Sequence, residues 1–163
     1  MTVAILSLGL NGEYSSKLSG KIGIGYSWID YEKSNLKTTS NLVSSLDLSW
    51  KHNSKTTSSY FINRQFSPTA QGTSTFSTNL GSRINHKLTD RLRGNANLSY
   101  SNIKYTNTDG DNSKLDQFGL GFGLDFNWRE NIVVGTSYNF SLIDYVQENY
   151  DRHTFEIYAS GRF

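Results

Sequence analysis

The sequence predicts an all-β fold, an antiparallel transmembrane β-barrel with about nine strands in this chain. Three observations predict it. Apolar and polar residues alternate with a period of two along almost the whole chain. The alternating stretches are mostly longer than ten residues. Soluble strands usually run about five or six residues, whereas a tilted strand crossing a bilayer needs about nine to eleven. Finally, the face opposite the apolar one is mostly Gly, Ser and Asn, which suits the interior of a barrel better than the charged outside of a soluble sandwich.

The elements follow in order. The first stretch sets Ala4, Leu6, Leu8 and Leu10 against Ser7, Gly9, Asn11 and Glu13. The second sets Ile22, Ile24, Tyr26 and Trp28 against Lys21, Gly23, Gly25 and Ser27. The third sets Leu42, Leu46, Leu48 and Trp50 against Ser45, Asp47, Ser49 and Lys51. The fourth, from about Thr56 to Phe66, is the weakest, because Phe61 sits opposite Tyr60 and Ile62. The fifth carries Phe76, Leu80, Ile84 and Leu88, and the sixth Leu92, Ala96, Leu98 and Tyr100. The seventh is the clearest, with every even residue from Phe118 to Trp128 apolar, against Gly119, Gly121, Gly123, Asp125 and Asn127. The eighth aligns Ile132, Val134, Tyr138, Phe140 and Leu142. In the ninth the apolar parity turns odd, with Phe155, Ile157, Ala159 and Phe163.

Composition narrows the function classes. Sixteen Lys and Arg against fourteen Asp and Glu give a net charge of +2, with no basic cluster, so no nucleic-acid partner is expected. The chain, residues 1–163, is read as one domain without cysteine. No window approaches eighteen apolar residues, which excludes a transmembrane helix but not a membrane barrel. Met1 to Leu10 lacks the length and basic start of an export signal, so it is expected to follow removed sequence.

Connector lengths alternate. Ser15–Ser19, Lys51–Lys55, Thr89–Arg91 and Arg129–Asn131 are tight. Tyr31–Ser40, Ser67–Thr73, Ile103–Lys114 and Asp144–Asp151 are longer, and Pro68 is expected in one of these loops. Short turns on the periplasmic side and long loops outside are the habit of outer-membrane barrels. With that orientation, Tyr14, Trp50, Trp128 and Phe163 fall at the inner rim of the lipid face, and Trp28, Tyr100 and Phe140 toward the outer rim. These form the expected aromatic girdles.

Several segments resemble the bacterial putative β-barrel porin 2 family, found beside exopolysaccharide and exosortase systems. They are Gly12–Gly20, Gly25–Tyr31, Arg64–Pro68 and Leu88–Leu92. The ending Ser160-Gly161-Arg162-Phe163 resembles the C-terminal signal read by the barrel assembly machinery, with Phe163 as its hallmark. The resemblance implies a bacterial outer-membrane location, contact with outer-membrane lipid and, by analogy only, a part in envelope polysaccharide export. The family offers no catalytic residues to carry over.

No residue pattern announces an enzyme, a metal or a cofactor. Gly119, Gly121 and Gly123 repeat with period two inside a strand, whereas a phosphate loop needs a turn that opens a helix. His52, His86 and His153 lie near connectors of different strands without ligand spacing. His86 and Ser82 share a face, but no serine has a nucleophile's setting. The informative charges have lumen parity: Glu13, Lys21, Asp47, Lys51, Arg83, Lys87, Arg93, Asp125, Glu156 and Arg162. They either line a water channel or pair across a plugged lumen. The expected function is therefore a pore or export conduit for small or polymeric solutes, with a non-conducting scaffold displaying surface loops as the alternative. Nine strands is an odd count, and bacterial single-chain barrels use even ones. The chain is thus expected to be the C-terminal part of a larger barrel, or to share one with another chain. An excursion at strand four would instead reduce the count to eight.

Overall fold

The computed structural model describes residues 2–30, 39–68, 74–106, 112–145 and 148–161. They form nine strands and, among the described residues, no helix. The strands are β1 (Thr2–Ser15), β2 (Leu18–Asp30), β3 (Thr39–Lys51), β4 (Thr56–Pro68), β5 (Ser74–Lys87), β6 (Leu92–Thr106), β7 (Asn112–Arg129), β8 (Ile132–Tyr145) and β9 (Glu148–Gly161). All nine lie in one antiparallel sheet in chain order. The doubtful fourth stretch is a full strand, bonded to β3 on one side and β5 on the other, so the count is nine.

The short turns are stapled by their own side chains. Ser15 Oγ accepts from the amides of Lys17 and Leu18 at 3.3 and 3.0 Å. Asn53 Oδ1 accepts from Lys55 and Thr56, both at 2.8 Å, and Thr89 Oγ1 from Arg91 and Leu92 at 3.3 and 3.0 Å. Each oxygen satisfies amides that the reversal takes out of the ladder.

The opposite end departs from expectation. β6 continues to Thr106 and β7 begins at Asn112, so most of the expected Ile103–Lys114 loop is strand. β8 reaches Tyr145 and β9 starts at Glu148, which leaves a two-residue connector, 146–147, where a long loop was expected. Pro68 closes β4 opposite Ser74 rather than lying in a loop, at a strand end where a missing N–H costs little. The alternation of short and long connectors therefore fails at β8–β9.

Register confirms the faces. Leu6 pairs with Tyr26, Leu46 with Ile62, Leu98 with Leu120, and Leu120 with Phe140, so the even apolar set is continuous through β8. Tyr138 pairs with Phe155 and Thr136 with Ile157, which carries that face onto odd positions in β9. Two bulges interrupt the ladder, between Glu13 and Ser15 and between Asn127 and Arg129. The extra residues are Tyr14 and Trp128, each placed just before a two-residue turn. The hairpins are staggered. The amides of Lys51, Lys87 and Asn127 each donate, at 2.8 Å, to a carbonyl of the preceding short turn, Lys17, Lys55 and Arg91. Stagger of one hand is what a sheet needs to curl into a barrel.

The polar face is the crowded one. A Cβ added at Gly81 would lie 2.6 Å from the Leu98 carbonyl oxygen and 2.7 Å from the Phe61 ring. At Gly119, Gly121 and Gly123 it would meet Ser99, Asn97 and Asn95. On the apolar face Gly12 has open space, and Gly94 meets nothing nearer than 3.4 Å; Gly20, pressed on the Asp47 carbonyl, is the exception. Crowding on one face and room on the other mark a sheet curved with its polar side concave. The sheet does not close: β1 and β9 each pair on one side only. Leu8 is 79% exposed and Ile157 74%, against 43% for Leu98 in the interior strand β6.

Candidate functional site

The concave face gathers most of the polar side chains, whereas the convex face carries an apolar belt that is unbroken on β7. In β7 the belt runs from Trp128 to Phe118 and in β8 from Ile132 to Leu142, eleven positions each, the length that a tilted strand needs to cross a bilayer.

All nine described residues of the expected charged set point to the concave face: Glu13, Lys21, Asp47, Lys51, Arg83, Lys87, Arg93, Asp125 and Glu156. Arg162 and Phe163 lie outside the described residues. The structure adds an axial order. Every one of the nine sits in the half of its strand nearest the short turns. Lys21 faces Asp47 in register, and Arg93 stands between Lys87 and Asp125. Tyr158, across Gly135 from Asp125, donates its hydroxyl to the Asp125 carboxylate. Its ring occupies the space left by Gly135. Ser137 donates to Glu156 at 3.2 Å. At the turn, Lys87 Nζ lies 2.8 Å from Asp90, whose carboxyl is held below the ordinary carboxylate range by that hydrogen bond and charge.

The middle of the face is largely uncharged, with Arg152 of β9 the exception. Asn79, Asn95, Asn97, Asn139, Ser99, Ser101 and Ser141 share it with Gly119, Gly121 and Gly123. Ser101 donates to Asn79 at 2.6 Å. Toward the far end the face turns largely apolar: Ile103, Leu115 and Tyr145 stand in one row, which ends on Glu148, and Ile143 is buried. At the same end the convex face turns ionic, with Lys104, Lys114, Asp116, Asp144 and Asp151. This exchange of polarity is why Ile103–Lys114 reads as loop in the sequence.

Two features escape a reading of alternation. Phe61 is no defect, since its ring lies over Gly81 on the next strand. Arg152 also points to the concave face, opposite Ser141, and its even position in β9 marks it once the parity change is applied.

Of the girdle aromatics on the convex face, Tyr14, Trp28, Trp50 and Trp128 sit near strand ends, whereas Tyr100 and Phe140 lie near the centres of β6 and β8. Tyr14 and Trp128 are at the bulges, and Trp50 stacks on His52 at 4.7 Å beside a turn. Trp28 pairs with Ala4 and Ser40 at the far end. Tyr100 and Phe140 pair with Phe118 and Leu120, where the belt gives way to Asn102 and Asp144. The histidines are bonded to neighbours: His52 to Ser58 at 2.8 Å, His86 to Thr56 at 2.8 Å, and His153 to Tyr138 and Asp151 at 2.7 and 2.9 Å.

A staggered antiparallel sheet of membrane-length strands, with an apolar convex side and a polar concave side, is the wall of an outer-membrane β-barrel. The chain belongs to the family described as Putative beta-barrel porin 2, which it matches over residues 4–163. That membership points to a porin-like outer-membrane role, and the following likeness shows the fold alone. Among solved structures the chain is similar to OmpT of Vibrio cholerae lacking loop L8, an outer membrane protein. The TM-score is 0.65 at 12% identity, and the match covers 98% of this chain but 53% of that one, so the chain spans about half its length. No curated protein matches it.

Proposed function

We propose that this chain is part of the wall of a water-filled pore in the bacterial outer membrane, one that passes small polar solutes and performs no catalysis. The carrying observation is the concave face. Charges of both signs concentrate at one end, amides and hydroxyls follow with Arg152 among them, and glycines keep the middle low. Such a surface hydrates a passing solute without binding it tightly. The amide and hydroxyl zone suits polyhydroxylated solutes, including polysaccharide segments, which is the finer form of the reading. Tyr14, Trp28, Trp50, Tyr100, Trp128 and Phe140 are assigned to the lipid–water interfaces, and Phe163 to recognition by the barrel assembly machinery.

The free edges of β1 and β9 call for further strands. With nine strands, β1 and β9 run the same way, so an odd number of added strands closes the barrel with antiparallel seams. Those strands belong either to the same polypeptide or to another chain.

A second reading has its own support. Lys21 stands opposite Asp47 and Arg93 opposite Asp125, which accepts from Tyr158, a placement of opposite charges that a plugged scaffold would also use. Planar bilayers carrying the full-length protein decide between the two. The pore reading expects stable conductance steps, and a shift of selectivity toward cations in the double variant Lys87→Glu/Arg93→Glu. A folded, inserted protein that never conducts would leave the scaffold as the function.

A further inference from the structure

Where the apolar belt ends on β6 and β7, the convex face presents lysines. Moving away from the short turns, β6 passes from Leu98 and Tyr100 to Asn102 and Lys104, and β7 from Leu120 and Phe118 to Asp116 and Lys114. Lys104 and Lys114 are direct cross-strand partners. Like charges placed so oppose sheet formation unless an anion shares them. Phe76 is the partner of Lys104 on its other side, and the guanidinium of Arg64 stands 4.4 Å from the centre of the Phe76 ring. Three cations thus border the belt across β4 to β7. Asp116 and its cross-strand partner Asp144 share this end of the face, and Asp116 is already engaged. One oxygen accepts from Tyr100 and Asn102, both at 2.6 Å, and the other lies 2.5 Å from Lys114 Nζ. It fixes Lys114 in place, while the Lys114 side chain stays 56% exposed.

We propose that Lys104, Lys114 and Arg64 form a binding site for the phosphate of a membrane lipid. The lipid source follows from continuity: the cations lie on the same face as Leu98, Tyr100, Phe118 and Leu120, so a phosphate held there sets its acyl chains along those side chains. A soluble phosphate would gain only the charge contacts.

The test is native mass spectrometry of the full-length protein in detergent, titrated with phosphatidic acid, with phosphatidylcholine and with inorganic phosphate. Phosphatidic acid should be retained in preference to both of the others. Each lysine removed should weaken that retention about fivefold, so Lys104→Gln/Lys114→Gln should lose roughly twenty-five-fold. Arg64→Gln, with both lysines intact, should lose about fivefold and serves where the double variant does not fold. Equal retention of phosphatidic acid by wild type and variants overturns the site. Inorganic phosphate competing at the same concentration as phosphatidic acid overturns the lipid source.

Discussion

β7 and β4 belong to one sheet and meet lipid-side neighbours in the same register, yet they are built differently. On its convex face β7 shows Trp128, Phe126, Leu124, Phe122, Leu120 and Phe118 without interruption. On the same face β4 shows Thr56, Ser58, Tyr60, Ile62 and Arg64, flanked by Ser44 of β3 and Ser82 of β5. The concave faces differ in the opposite sense. β7 supplies Gly119, Gly121 and Gly123, while β4 places the bulky Phe61 over Gly81. One strand thus separates its roles by face, and the other carries hydroxyls outside and an aromatic ring inside. Membrane strands need an apolar belt summed around the wall, and an individual strand can depart from it where its neighbours supply the apolar surface.

The largest effect should come from placing a charge where the separation is strictest. Phe122→Arg lies in the middle of the β7 belt and should lower the unfolding free energy in lipid vesicles by about 2–4 kcal/mol. An unchanged denaturant midpoint would mean that this face is not in lipid. Next is the difference in crowding between the two faces. Gly81→Ala forces a methyl group against the Leu98 carbonyl and the Phe61 ring, and should cost roughly 1–3 kcal/mol. Gly94→Ala, on the open face, should stay within about 0.5 kcal/mol. Equal costs in matched unfolding titrations would remove the concave–convex distinction.

A smaller effect tests the hydroxyl-rich region itself. Ser82→Leu replaces a hydroxyl between Tyr60 and Leu98 and should stabilise the vesicle-inserted protein by about 1 kcal/mol if lipid covers that face. Destabilisation would show that β4 and β5 are covered by protein instead. The smallest effect lies in a turn. Lys87 depresses the Asp90 carboxyl, so its contribution is present above the unfolded-state value and lost as the pH falls through the folded-state one. The pair is exposed, so Asp90→Asn should leave the acid-unfolding midpoint unmoved within error. A clear shift would mean that the turn is buried against something.

Alternation made much of this legible in advance, and particular residues show where it stopped. Gly119 and Phe122 declare their faces because lipid and interior demand opposite sizes and polarities at successive positions. Lys104 and Asp116 hid the far ends of β6 and β7, because beyond the belt the polarity of the two faces is exchanged while hydrogen bonding continues. Asp144 did the same at β8, and with it vanished the expected long loop to β9. Phe61 broke the pattern of β4 because the glycine that accommodates it lies twenty residues away, on β5.

By itself the sequence determined the strand number, the two faces, the change of parity in β9 and the positions of the short turns. These follow from neighbours along the chain, through the two-residue repeat and the side-chain caps of Ser15, Asn53 and Thr89. Only the tertiary structure decided which charges face one another, as Lys21 does Asp47 and Arg93 does Asp125. It also decided that the nine charges read from the sequence lie in the short-turn halves of their strands while Arg152 does not, that Tyr158 reaches Asp125 over Gly135, and that Lys104 meets Lys114. Register and stagger set these meetings, and both arise from hydrogen bonds between strands that a single strand's alternation does not encode.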